Sequence, residues 1–184
     1  MINSFQSENA VYAKNTIEFV AVAKSYCDFM DQMESIGKQQ FLDTMVRLLP
    51  LLYLKGSLLP ENELLADEVQ ETFATEDQYA VLSQTIADLL GTDDAYLEVF
   101  HPEISFTDSP VASFISENLA DIWQDLFNFI SVYRLGYDDT MNDALYVCRT
   151  NFGHFWGQSL VNVFRALHNC KYAPSENEEE GKKI

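Results

Sequence analysis

Positive charge is what this chain has least of: 11 Lys and Arg stand against 29 Asp and Glu, a formal net charge of −18. Such a field repels a phosphate backbone, and no Lys/Arg cluster overcomes it locally, so nucleic acid is not an expected partner. Anionic membrane surfaces are disfavoured by the same argument. Cysteine is scarce as well. Cys27, Cys148 and Cys170 are odd in number, widely spaced and without a C-x-x-C pair. Neither a disulfide framework nor a zinc knuckle is expected from them, and they suit a reducing cytoplasm. Long apolar runs are missing: Leu48 to Leu54 is too short to span a bilayer. The first eight residues have neither the basic start nor the apolar core of a secretion signal. A soluble, cytoplasmic protein is the expectation. No nucleotide-binding loop, nucleophile constellation or solenoid repeat stands out, and no cofactor is implied.

What is present is apolar and aromatic mass in helical spacing. With 47% hydrophobic and 13% aromatic residues in 184, the chain can bury one sizeable core. The expected organisation is a single all-helical domain over residues 1–172 and a disordered polar tail over 173–184. Tyr12, Phe19, Val20, Ala23, Tyr26, Cys27, Met30 and Met33 recur at three-four spacing, which predicts a helix from Glu8 to Ser35 that closes near Gly37. A second helix from Lys38 carries Phe41, Met45, Leu48, Leu49 and Leu52, with a kink or break expected near Val46 to Leu49 because of Pro50. Lys55-Gly56-Ser57 reads as its stop. A short acidic helix is expected from Pro60 to Phe73, and Thr75-Glu76-Asp77-Gln78 matches a capping box for the next one, ending at Gly91. A short helix through Tyr96, Leu97 and Phe100, then a loop after His101-Pro102, complete the middle. Ser109-Pro110 reads as the start of a long helix to Leu135, and Gly136 turns the chain into a last helix, capped by Asp138 or Asp139 and running to Asn169. The fold class that results is all-α: a bundle of about six helices with a long C-terminal antiparallel hairpin.

That hairpin holds both tryptophans and the best-placed polar groups. Ile115, Leu119, Ile122, Leu126, Phe129, Ile130 and Tyr133 line one side of its first helix, flanked by Trp123 and, on the other edge, by Asn118 and Asp125. Leu145, Phe152, Trp156, Val163 and Leu167 line the second. Arg149 falls inside this second stripe, where an unpaired charge would cost several kcal/mol. Folding the helices about Gly136 brings Arg149 level with Asp125, and Asp121 lies one turn away. The expectation is an Arg149–Asp125 hydrogen bond, with Asp121 as substitute, acting as a strut that fixes register or as an anchor for a substrate. Gly153 and Gly157 each cost up to about 1 kcal/mol inside a helix. Close approach of a helix, an aromatic ring or a ligand should offset that, so Trp123, Gly153, Trp156 and Gly157 form a candidate close-packing or ligand face. His154 points away from the apolar stripe, and His168 is too far along the axis to share a metal with it.

The segments Cys148-Arg149-Thr150-Asn151-Phe152-Gly153-His154-Phe155-Trp156-Gly157-Gln158, Arg165-Ala166-Leu167-His168 and Asp121-Ile122-Trp123-Gln124-Asp125-Leu126 together resemble a bacterial family catalogued as a domain of unknown function. The family pattern includes an H-W-G-x-H core. This chain reads His154-Phe155-Trp156-Gly157-Gln158-Ser159, out of register and without the second histidine, which weakens any metal role. The resemblance implies a cytoplasmic helical protein and supplies no mechanism.

Other motifs reduce to structure. Glu98-Val-Phe-His101 is a lone Glu-x-x-His followed by Pro102, short of the paired motifs a dimetal bundle needs. Glu68-Val-Gln-Glu71 lacks the Glu-x-x-Asp that a magnesium site would pair with it. Cys148 has no base suggested by sequence and reads as a small buried hydrophobe. Two functions remain: a non-enzymatic interaction or scaffold module, with a protein partner or a second copy of itself, or a small-molecule or metal site built from Asp121, Asp125, Arg149 and His154. Convergent polar side chains in a concave pocket would separate the second from the first.

Overall fold

The computed structural model describes residues 9–66, 71–98 and 111–172. The fold is all-α: helices α1 (Lys14–Met30), α2 (Lys38–Ser57), α3 (Glu76–Leu90), α4 (Ile115–Tyr133), α5 (Asp138–Asn151) and α6 (Gly157–Tyr172). Strands β1 (Ala95–Glu98) and β2 (Val111–Phe114) pair antiparallel between α3 and α4. No described helix is long and apolar enough to cross a membrane.

Helix α4 occupies the centre, touching α1, α3, α5 and α6, and α2 packs mainly on α6 and α1. The stripe read from the sequence accounts for this. Ile115, Leu119, Ile122, Leu126 and Phe129 are all buried, and each such side chain contributes roughly 1.5–3 kcal/mol when removed from water. Trp123, at the edge of the stripe, is buried too. From α1, Phe19 meets Phe129 and Trp156 with ring centroids 5.5 and 6.2 Å apart. The Tyr26 hydroxyl donates to the Leu119 carbonyl at 2.9 Å. All six helices feed one contiguous core.

Several ends fall where local chemistry places them. Thr75 and Gln78 form the reciprocal capping box at the start of α3, and Gly91 and Gly136 take positive φ (61° and 79°) just past α3 and α4. The free carbonyls at the end of α3 gain a cation: Lys38 Nζ donates to the Leu90 carbonyl and to Asp93, both at 2.7 Å, as the helix dipole favours.

Other expectations are corrected. Helix α1 is shorter than expected and gives way to a single 3₁₀ turn at Met33–Ser35. Pro50 does not break α2, which runs through it; Met45, Leu49 and Leu52 are fully buried on either side, and that packing outweighs one lost amide bond. The helix expected from Pro60 to Phe73 is absent from the described residues 60–66 and 71–73. The amides of Leu65, Ala66, Phe73 and Ala74 bond instead to side chains of α4 and α5, so that residues 60–66 and 71–74 lie as a strap against the hairpin. Tyr96 and Leu97 lie in β1, where burial alternates with period two, the mark of a strand rather than a helix. The last helix is not continuous: Phe152–Trp156 forms a π-turn between α5 and α6, in which the Gly157 N–H reaches the Phe152 carbonyl. The expected loop after His101-Pro102, the Ser109-Pro110 cap, Glu68 and the tail beyond residue 172 lie outside the described residues. The helix expected to follow Pro110 starts only at Ile115, because Val111–Phe114 pairs with β1 as a strand.

Helix α4 begins at Ile115, and its cap comes from elsewhere in the chain. One oxygen of buried Asp94 accepts the Ser116 N–H and the other accepts the Ser116 hydroxyl, each at 2.8 Å. Asp94→Ala is therefore expected to lower unfolding free energy by about 1–2 kcal/mol, measured by urea denaturation, whereas Asp93→Ala, which removes an exposed carboxylate paired with Lys38, should cost under about 1 kcal/mol.

Candidate functional site

The two hairpin helices lie side by side as expected, but their polar contact is not the expected one. Asp125 accepts a hydrogen bond from Asn151 Nδ2 at 2.7 Å. Arg149 turns instead toward the strap, where Nη2 donates to the Asn62 carbonyl at 3.3 Å and the guanidinium lies 5.9 Å from the centre of the Tyr146 ring. Asp121 does not substitute; it accepts the Tyr79 hydroxyl at 2.9 Å and ties α4 to α3. The observed facing register differs from the expected one by two residues. On α5, that step rotates Arg149 off the α4 side and brings the shorter Asn151 to it.

The four residues taken as a polar site thus do not converge. His154 is exposed in the π-turn, its Nδ1 2.9 Å from the Thr150 carbonyl of its own helix. Of the close-packing set, Trp156 is fully buried, donates its N–H to the Cys148 carbonyl at 3.1 Å and meets Phe152 edge-on at 4.7 Å. Gly157 and Gly56 of α2 both leave room for the Phe152 ring, which a methyl group at either position would crowd. Gly153 has open space around it, so no packing offsets its cost. Trp123 belongs to a different surface, described below.

What the hairpin does build is a pocket of about 460 Å³ under the strap, between α4 and α5. Gln124, Asp125, Asn128 and Asn151, with Glu71 and Thr72 from the strap, supply its polar groups, and Phe129, Val147 and Cys148 are among its walls. The strap is pinned over it at two points. Asp143 accepts the N–H groups of Leu65 and Ala66 at 2.8 and 3.0 Å. Asn128 Oδ1 accepts those of Phe73 and Ala74 at 2.7 and 2.8 Å. Burial raises the carboxyl pKa of Asp125; the Asn151 hydrogen bond partly opposes this, and Asp121 adds a small further rise. Burial also pushes the Cys148 thiol well up, and the Cys27 thiol to about 12. Neither thiol is a thiolate at neutral pH, which argues against nucleophilic use. Among the described residues, no cluster of three His, Cys, Asp or Glu side chains could hold a metal ion. Sequence reasoning found Asp125 but missed Asn128, Asp143 and Asn62. Their partners are backbone groups far away in the chain, and such service leaves no periodic trace.

A second concavity, of about 320 Å³, opens on the opposite side of α4. The end of α1 and the Met33–Ser35 turn form one wall, the first half of α3 the other. Met30, Met33, Leu82 and Trp123 make its floor, Val81 stands 61% exposed at its edge, and Asp31, Glu34 and Asp77 rim it. The Trp123 indole stacks on Phe127 with centroids 4.9 Å apart. Its buried N–H faces the Asp31 carboxylate without forming a hydrogen bond. Partial burial, then neighbouring Asp28, raise the Asp31 pKa, and the indole pulls it back.

An all-α bundle with an acid-rimmed apolar groove and a strapped polar pocket is the class of protein that these observations define. The chain belongs to the DUF5063 family, a domain of unknown function, whose model matches residues 10–173. It is similar to a crystal structure of protein BF1032 from Bacteroides fragilis, with a TM-score of 0.81 and 46% identity, over 91% of this chain and 98% of that one. No curated protein matches it.

Proposed function

We propose that this protein is a non-enzymatic interaction module whose groove beside Trp123 takes a cationic amphipathic segment of a partner protein. The observation that carries the proposal is the pairing of an apolar floor with a rim of one sign: Asp31, Glu34 and Asp77 surround Met30, Met33 and Trp123, and among the described residues no basic one lines the groove. Methionines adapt to differing apolar side chains, and a helix lying in such a groove is read through side chains one turn apart. A chain of net charge −18 also draws a cationic partner in from a distance. The unfilled indole N–H marks a floor that is not fully satisfied without a guest or a shift of Asp31.

The test uses a synthetic amphipathic Lys/Leu peptide and its Glu/Leu counterpart, with binding followed by tryptophan fluorescence. The variant Asp31→Asn, Glu34→Gln, Asp77→Asn should weaken the cationic peptide by at least about tenfold. A control triple change on the strap and α5, Glu61→Gln, Glu63→Gln, Asp139→Asn, removes the same charge and should leave affinity within about twofold. Equal losses in the two variants would reduce the effect to bulk charge and refute the groove. So would equal binding of the acidic peptide.

A further inference from the structure

The pocket under the strap is independent of the groove, and its chemistry points to a ligand. Asp125 and Glu71 are the carboxylates among the described residues that line it, and Asp125 is the more buried of the two. One oxygen takes the Asn151 amide at 2.7 Å, and among the described residues no Lys, Arg or His forms an ion pair with it. The walls beside it are apolar: Leu64, Phe129, Ala144 and Val147. A half-buried carboxylate without a cation is an unfavourable arrangement in the free protein. Its raised pKa carries the same message, because the native state then holds a proton more tightly than the unfolded chain does. The stability linked to that carboxyl is present at acid pH and is lost as pH rises through the raised value. Holding that carboxylate beside apolar walls costs stability, a trade-off that functional sites accept.

We propose that this pocket binds a small aliphatic amine, with the ammonium on the free side of Asp125 and the carbon stem against Phe129 and Val147. A protonated amine supplies the missing positive charge together with an N–H donor, and its stem displaces water from the apolar walls. A multivalent metal ion fits less well, since it wants several oxygen ligands with carboxylates foremost, and no three His, Cys, Asp or Glu side chains gather among the described residues. A volume of about 460 Å³ lies within the range of small-molecule sites.

The experiment titrates the full chain with 1-aminobutane, 1,4-diaminobutane, 1-butanol and magnesium chloride at matched ionic strength, read by NMR shifts and by thermal unfolding. The amines should bind saturably, shift the Asn128 and Asn151 side-chain amides and raise the melting temperature. Butanol and magnesium should do neither. Asp125→Asn keeps an oxygen that can accept the Asn151 bond, so it should fold, melt higher than the parent at pH 7 and lose at least about tenfold in amine affinity. The groove variant Asp31→Asn, Glu34→Gln, Asp77→Asn should bind amine normally, which separates this site from the peptide groove. Butanol binding as well as the amine, full amine affinity in Asp125→Asn, or no saturable amine binding would each overturn the proposal. An Asp125→Asn protein that melts lower than the parent would also overturn it, by making Asp125 a structural strut.

Discussion

Gly157→Ala is expected to destabilise the chain by about 3 kcal/mol, while Gly153→Ala, four residues earlier on the same helical path, is expected to stabilise it by up to about 1 kcal/mol. The opposite signs follow from what a methyl group would meet. At Gly157 it would lie 2.3 Å from the Phe152 carbonyl oxygen and 3.0 Å from the Phe152 ring. That oxygen is backbone held in the π-turn, so relief requires unwinding the turn and moving the ring. The ring has little room to move, because a methyl at Gly56 on α2 would meet the same ring at 3.2 Å and Trp156 at 3.0 Å. Gly56→Ala should accordingly fall between the other two, at a loss of about 1–2 kcal/mol. At Gly153 there is nothing within 4 Å, and alanine removes only the conformational entropy that glycine brings to the unfolded chain. Urea unfolding of the three variants orders them Gly157 worst, Gly56 next and Gly153 better than the parent. If Gly157→Ala proved no worse than Gly153→Ala, the close packing of Phe152 between α2 and α6 would not be what holds the π-turn in place.

The π-turn also shows where the sequence stops being readable. The two glycines in the helix announce a local cost, and an aromatic ring as its compensation is a sound inference for Gly157. Nothing in the spacing says that one extra residue is looped into the helix at Phe152, because a π-turn displaces the apolar stripe by only part of a turn and both readings bury Trp156. The helical faces of α1, α2 and α4, the capping box at Thr75 and the turn at Gly136 were legible because each is set by residues within a few positions of one another. The polar contacts of the hairpin were not. Arg149 was correctly seen as needing a partner, but the partner is the carbonyl of Asn62, in a segment whose acidic, proline-led sequence reads as a helix start. The same difficulty hid β1, where four residues suffice for a strand once β2 lies alongside, and hid the capping of α4 by Asp94 across 22 positions. Short-range signals gave the architecture. The candidate sites arise where long-range hydrogen bonds override them, and for that reason only Asp125 and Trp123 carried over from the sequence to the two concavities.

Asp143→Ala is expected to cost about 3 kcal/mol. Asp143 is 7% exposed and its two oxygens accept the consecutive Leu65 and Ala66 amides, while Asn142 adds a third donor at 3.1 Å. Alanine leaves two backbone N–H groups without a partner beside the hairpin, and the strap must either endure that or lift into water. Asp143→Asn retains one acceptor oxygen and should cost about half as much. Amide hydrogen exchange distinguishes the two responses. If the strap lifts, Leu65 and Ala66 exchange at rates near those of a free chain while the α4 core keeps its protection, and the measured loss is capped by the strap's own docking energy. Asn128→Ala, which frees Phe73 and Ala74 at the other anchor, provides the second arm of a cycle. A strap that docks as one unit makes the two losses clearly less than additive, because the second substitution acts on a segment the first has already released. Full additivity would mean that the two anchors hold separate pieces of chain. The roof of the amine pocket would then consist of two independent flaps, and loss of Asp143 alone would leave the Asn128 side of the pocket closed.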